Sequence, residues 1–180
     1  MSRSFELPEA EWATVGAVGE PGHRTFYLQA RQESQLVTLK LEKQHVAAIA
    51  QFLSEILSDL PAPEQEGDDA GAALVEPVLA EWPVGSLQLA YDSTSDRVVI
   101  LAEEMGEGDE EDEAGEGEPE DGFDRDRGAA RLGLTRASAA LIVRVGAELI
   151  SAGRPLCTLC GRPMDPEGHS CPRTNGHKPN

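Results

Sequence analysis

Val37-Thr-Leu-Lys-Leu-Glu-Lys-Gln-His-Val-Ala-Ala-Ile49 is the stretch on which the fold turns, because its apolar period changes midway. Val37, Leu39 and Leu41 alternate with Thr38, Lys40 and Glu42, as a half-buried antiparallel strand requires. From Val46 the spacing lengthens to about three and a half residues. Val46, Ile49, Leu53, Ile56 and Leu60 then share one stripe, with Lys43, Gln44, Gln51 and Glu55 facing away. The helix stops before Pro61, since the residue ahead of a proline is pushed out of helical geometry.

Two strands precede this junction. Thr25-Phe-Tyr-Leu-Gln-Ala30 puts Phe26, Leu28 and Ala30 on one face, with Tyr27 and Gln29 on the other. Ala13–Val18 reads as a shorter strand, and Gly19-Glu-Pro-Gly22 as the turn that follows it. Downstream the same order returns. Leu87, Leu89 and Tyr91 alternate up to the turn Asp92-Ser-Thr-Ser-Asp96, and Arg97–Ala102 runs back as a buried strand. A short strand holds Leu132 and Leu134. Thr135 is the expected N-cap of a helix striped by Leu141, Ile142, Val145 and Leu149, with Gly153 at its C-terminal cap.

The two runs overlay. Leu39-Lys-Leu-Glu-Lys-Gln-His-Val-Ala-Ala-Ile49 lies on Leu132-Gly-Leu-Thr-Arg-Ala-Ser-Ala-Ala-Leu-Ile142 without a gap, and Glu55-Ile-Leu falls on Glu148-Leu-Ile. Arg24-Thr-Phe-Tyr-Leu28 lies on Arg97-Val-Val-Ile-Leu101, and Trp12 and Trp82 are expected to pack in equivalent places. The expected fold is α+β: tandem βββα units, halves 1–60 and 80–153, forming a mostly antiparallel sheet with two helices on one face. Chance likeness of strand-to-helix junctions is the alternative to common ancestry, and it leaves the fold unchanged.

Charge is unevenly spread. Residues 103–126 carry 14 Asp and Glu against one Arg, and so hold -13 of the formal net charge of -18. Glu64, Glu66, Asp68 and Asp69 crowd a second acidic loop at 61–72. Both read as solvated insertions in a near-neutral body of residues 1–153, the longer one spanning 103–128 between two strands. A calcium loop at Asp109, Glu111 and Glu113 fails for want of a glycine at its sixth position.

The tail, 154–180, holds all three cysteines. Cys157-Thr-Leu-Cys160-Gly161 offers two thiolates from one tight turn and a glycine for the bend, the pattern of a zinc knuckle. Cys171 is the third ligand. The fourth is His169, giving Cys-x2-Cys-x8-His-x-Cys, or His177, giving Cys-x2-Cys-x10-Cys-x5-His. Four donors from one short tail close a coordination sphere, so the expected cofactor is structural Zn2+, with no open catalytic position.

No phosphate loop or nucleophile elbow occurs, and His23 and His45 read as turn and helix-surface residues. The tail sets Arg154, Arg162, Arg173 and Lys178 against Asp165 and Glu167, too small an excess to overcome the repulsion of nucleic acid by the rest of the chain with its acidic insertions. The apolar run Ala137–Val143 is too short to span a bilayer, and the N-terminus lacks the features of a signal peptide. Clustered thiols suit a reducing compartment, so a cytoplasmic, soluble protein is expected.

Gly19-Glu-Pro-Gly22-His-Arg-Thr-Phe-Tyr-Leu-Gln-Ala30, Leu41-Glu-Lys-Gln44, Arg97-Val-Val-Ile100 and Cys157-x-x-Cys160-Gly…Pro166-Glu-Gly-His169-x-Cys171-Pro-Arg-x-Asn-Gly176 together resemble the actinobacterial family termed domain of unknown function 3090. The resemblance covers the chain apart from the long acidic insertion. It implies a cytoplasmic setting and, through the Gly-His-x-Cys element, His169 as the fourth ligand; it implies no activity. The expected function is a zinc-binding, non-enzymatic adaptor for an unidentified protein partner. The alternative is an enzyme or small-ligand protein with a site between the two halves.

Overall fold

The junction at residues 41–43 folds as its change of period requires. Leu41 closes a strand, Glu42 takes extended geometry as N-cap, and a helix begins at Lys43. A computed structural model describes residues 3–61, 72–106, 127–152, 157–160 and 171–173 of the 180. Its elements are β1 (Phe5–Ala10), β2 (Trp12–Val18), β3 (Thr25–Gln32), β4 (Gln35–Leu41), α1 (Lys43–Ser58), β5 (Val84–Asp92), β6 (Arg97–Glu104), β7 (Ala129–Leu134) and α2 (Arg136–Ser151). After β1 the order is strand, strand, strand, helix, twice over. The structure is α+β and mostly antiparallel.

The strands divide into two sheets instead of forming one. One has the order β2-β3-β4 and the other β1-β7-β6-β5, with β1 alone running parallel to its neighbour. Each run of three strands closes its own ladder. The two ladders meet where Lys40 N–H donates to the Trp82 carbonyl (3.1 Å) and Glu81 N–H to the Thr38 carbonyl (2.9 Å). At the opposite edge β1 leads straight into β2, and Glu11 N–H donates to the Arg31 carbonyl at 2.9 Å.

β1 was not foreseen from the sequence. Phe5, Leu7 and Ala10 are buried, but Pro8 breaks the pattern. The ladder accommodates it with a register shift between Leu7 and Ala10, so the missing N–H falls at an irregularity.

The inner faces of both sheets and the apolar stripes of both helices merge into one core. Leu28, Leu39, Ile100, Leu132, Ile49, Leu53 and Ile142 are fully buried in it. The helices pack on each other, with Gly146 close to Ala50, and they exchange partners: α1 lies against β5, and α2 against β2 and β6. Arg136, opening α2, ties this layer down. Its guanidinium meets both Asp96 carboxylate oxygens at 3.0 Å and donates to the Pro61 carbonyl at 2.6 Å.

Ladder registers correct one sequence alignment by a single residue. Leu28 pairs with Leu39, and Ile100 pairs with Leu132. Leu28 therefore corresponds to Ile100, not Leu101. The shared arginine misled the reading: Thr25, not Arg24, is the counterpart of Arg97. A one-residue slip exchanges the faces of a strand, and Leu101 is accordingly 40% exposed.

The tryptophans are not equivalent either. The ladder counterpart of Trp12 is Ser86, because Val15 and Leu89 hold matching positions opposite Leu28 and Ile100. Trp12 lies under the Arg31 guanidinium, whereas Trp82 is buried and donates its indole N–H to the Arg3 carbonyl at 2.9 Å.

Candidate metal centre

The sulfur atoms of Cys157, Cys160 and Cys171 all lie within 4.8 Å of one another. Cys157 and Cys160 come from one turn, as a two-residue spacer allows. Cys171 is brought back beside them, its sulfur 3.9 Å from that of Cys157. Arg173 joins the two segments by donating to the Leu159 carbonyl at 3.0 Å. None of the three is in a disulfide, and Cys157 and Cys171 are buried with Cys160 half-buried.

This geometry suits a metal. Thiolates about 2.3 Å from a tetrahedral ion stand about 3.8 Å apart, whereas a disulfide would need sulfurs about 2.05 Å apart. The local backbone also favours the thiolate. The Cys160 amide beside Cys157 holds its thiol below the ordinary range, opposed by burial and reinforced by the Leu159 amide and the neighbouring thiols. Three thiolates from two short turns, two of them buried, can hold one metal ion. His169 and His177, the sequence candidates for a fourth donor, lie outside the described residues, as do Gly153, Gly161 and residues 62–71 and 107–126 of the acidic loops.

The tail leaves from the end of α2, where Arg24 of the β2–β3 turn donates to the Ala152 carbonyl at 3.1 Å. That cation faces the negative end of the helix dipole, and α2 has no basic residue of its own in its last turn. His23, in the same turn, is exposed. His45 is the third residue of α1, and its Nδ1 accepts from the Glu42 N–H at 3.3 Å, so it belongs to the helix start.

A second polar constellation went unforeseen. Thr14, Gln29 and Thr38 stand side by side on the outer face of the β2-β3-β4 sheet, where alternation predicts solvent, yet all three are buried. Residues 72–81 cross this face as a strap. The Gln29 amide donates to the Val75 carbonyl (3.1 Å) and to the Thr38 hydroxyl (3.1 Å), and accepts from the Val75 N–H (2.7 Å). The Thr14 hydroxyl donates to the Ala72 carbonyl at 3.0 Å. Gly16 makes room for Leu74, since a Cβ there would overlap its Cγ and stand 2.8 and 2.9 Å from its methyls. Nothing in the local sequence marks Gln29 as buried; only the returning strap does that.

Among the described residues no helix is long and apolar enough to cross a membrane. No curated protein and no solved structure matches the chain. A family model does, over residues 4–171, which takes in both βββα runs and closes on the third cysteine of the cluster. The chain therefore belongs to the family described as protein of unknown function, DUF3090.

Proposed function

We propose that this chain is a zinc-stabilised protein-binding adaptor of the cytoplasm. Its tail folds on one structural Zn2+ held by Cys157, Cys160, Cys171 and His169. The observation that carries the metal reading is the cluster of three thiols within 4.8 Å, drawn from two segments 10 residues apart in sequence. Thiolate ligands favour zinc over magnesium or calcium, and cysteines outside any disulfide suit a reducing compartment. The family match includes His169 and ends before His177, which favours His169 as the fourth donor. Three thiolates and one imidazole complete a tetrahedron, which supports a structural over a catalytic ion.

We also read the two βββα runs as a tandem duplication. Glu42 and Thr135, Lys43 and Arg136, Ser58 and Ser151 are each 93 residues apart, so caps and helix ends coincide. The enzyme alternative would place a site between these units. Leu28 and Leu39 of one unit and Ile100 and Leu132 of the other belong to one shared apolar core, which favours the adaptor.

Metal analysis of the full chain tests the proposal, beside Cys157→Ser, His169→Ala and His177→Ala and with a thermal melt of each. One zinc per chain is expected, lost in Cys157→Ser and His169→Ala and kept in His177→Ala, with the main melting transition unmoved. Zinc retained by His169→Ala but lost by His177→Ala would transfer the fourth position to His177. Retention by both histidine variants would indicate an exchangeable ligand and overturn the structural reading, and no zinc in the wild type would overturn the metal centre.

A further inference from the structure

The strap at 72–81 is held mainly through its backbone. Thr14 reads the Ala72 carbonyl, Gln29 reads both the N–H and the carbonyl of Val75, and the Thr38 carbonyl accepts from the Glu81 N–H. Of the strap side chains, Leu74 sits on the bare backbone of Gly16 and the small Ala72 packs at the edge of the core. Val75 is 38% exposed and Leu79 73%. Backbone hydrogen bonds with one aliphatic seat are the means by which proteins bind extended peptides of loosely defined sequence.

A permanent cover would be expected to use apolar pairs, because a buried amide gains little net stability over an apolar pair of the same shape. A polar latch behaves differently on opening. Water replaces the bonds of Gln29, Thr14 and Val75, so release costs less than unsealing an equal apolar area.

The second sheet shows that this fold does not need the cover. Gln29 pairs with Thr14 and Thr38 as Leu101 pairs with Gln88 and Arg131. The position that is a buried glutamine in one sheet is a leucine open to water in the other. Gln29 is thus suited to the strap rather than to the sheet.

We propose that the outer face of β2-β3-β4 is a receptor for an extended peptide, filled in cis by the strap and opened to a partner when the strap lifts. The partner is a protein segment with an aliphatic residue for the Gly16 seat, followed by a residue whose N–H and carbonyl are both free for Gln29. The inference deepens the adaptor reading by naming its binding surface. It stands apart from the metal, whose content is measured in every sample used.

The probe is a fluorescent peptide of the strap sequence, Ala-Ala-Leu-Val-Glu-Pro-Val-Leu, with anisotropy read against the full-length chain carrying Leu74→Asp. That substitution weakens the cis contact and leaves Gly16, Gln29 and Thr14 in place. Saturable binding at least about tenfold tighter than to wild type is expected. It should vanish in Leu74→Asp/Gln29→Leu, and with a peptide carrying aspartate for its leucine. No binding to a folded, zinc-loaded Leu74→Asp chain would overturn the receptor while leaving the metal centre standing. Amide exchange in the wild type covers the case in which that variant does not fold. Val75 N–H should exchange at least about a hundredfold faster than Val15 and Leu28 N–H. Equal rates would make the strap part of the global fold and overturn the proposal.

Discussion

Gly133→Ala should break the join between β1 and β7. A Cβ at position 133 would overlap the Pro8 carbonyl oxygen and stand 2.8 Å from its carbon. Carbon atoms settle about 3.5–4.0 Å apart, so the two backbones would have to part by at least about 0.7 Å. Neither strand is free to move, because Leu7 is paired with Leu132 and Ala10 with Leu134 on either side. Overpacking costs about 1–3 kcal/mol, and each ladder hydrogen bond lost adds about 0.5–1.5 kcal/mol. A total of about 2–5 kcal/mol follows, which lowers the melting temperature of a chain this size by on the order of 10 °C. Urea unfolding followed by far-UV circular dichroism, with a thermal melt, measures it.

The control is Gly146→Ala on α2, where the new Cβ would lie 3.1 Å from the Ala50 Cβ. There the helix preference for alanine, about 1 kcal/mol, offsets the tight contact. If Gly133→Ala melts within about 2 °C of wild type while Gly146→Ala behaves as stated, β1 does not cross over Gly133 and the register is wrong.

The corrected alignment of β3 with β6 predicts that Ile100→Ala costs about 2–5 kcal/mol and Leu101→Ala under about 0.5 kcal/mol. Equal losses in urea unfolding would restore the register read from the sequence. His45 gives a pH signature. Burial lowers its pKa below 6.5, against the opposing pull of the Glu42 carboxylate. Below pH 6.5 the unfolded chain binds the proton more readily than the folded one, so stability should fall as pH drops from 6.5 toward the folded-state value. Protonation of Nδ1 also removes the acceptor for the Glu42 N–H. His45→Ala should flatten that part of the stability–pH curve, and an unchanged slope would refute the assignment.

Much of this fold was legible because local periodicity reports what each residue faces. The change of period after Leu41 located β4 and α1, its echo after Leu134 located β7 and α2, and Thr135 proved to be the cap, accepting from the Ser138 N–H. The three cysteines, close in sequence, were expected to be close in space, and their sulfurs are. The gathering of the three cysteines was readable for the same reason: a Cys-x-x-Cys turn is a local structure, written in spacing and residue type.

What the sequence could not show was decided by segments that meet from afar. Phe5–Ala10 was not read as a strand; it is one where β7 offers an edge, with a glycine where Pro8 passes. Two sheets stand where one was expected, each run of three strands pairing within itself, while α1 and α2 each pack on the partner unit's first strand. Gln29 sat on what alternation marks as the wet face, and residues 72–81, more than 40 positions later, buried it. Alternation in a strand distinguishes one face from the other. Whether the outer face meets water or another part of the chain is a tertiary matter, and in this protein that difference creates the strap and its latch.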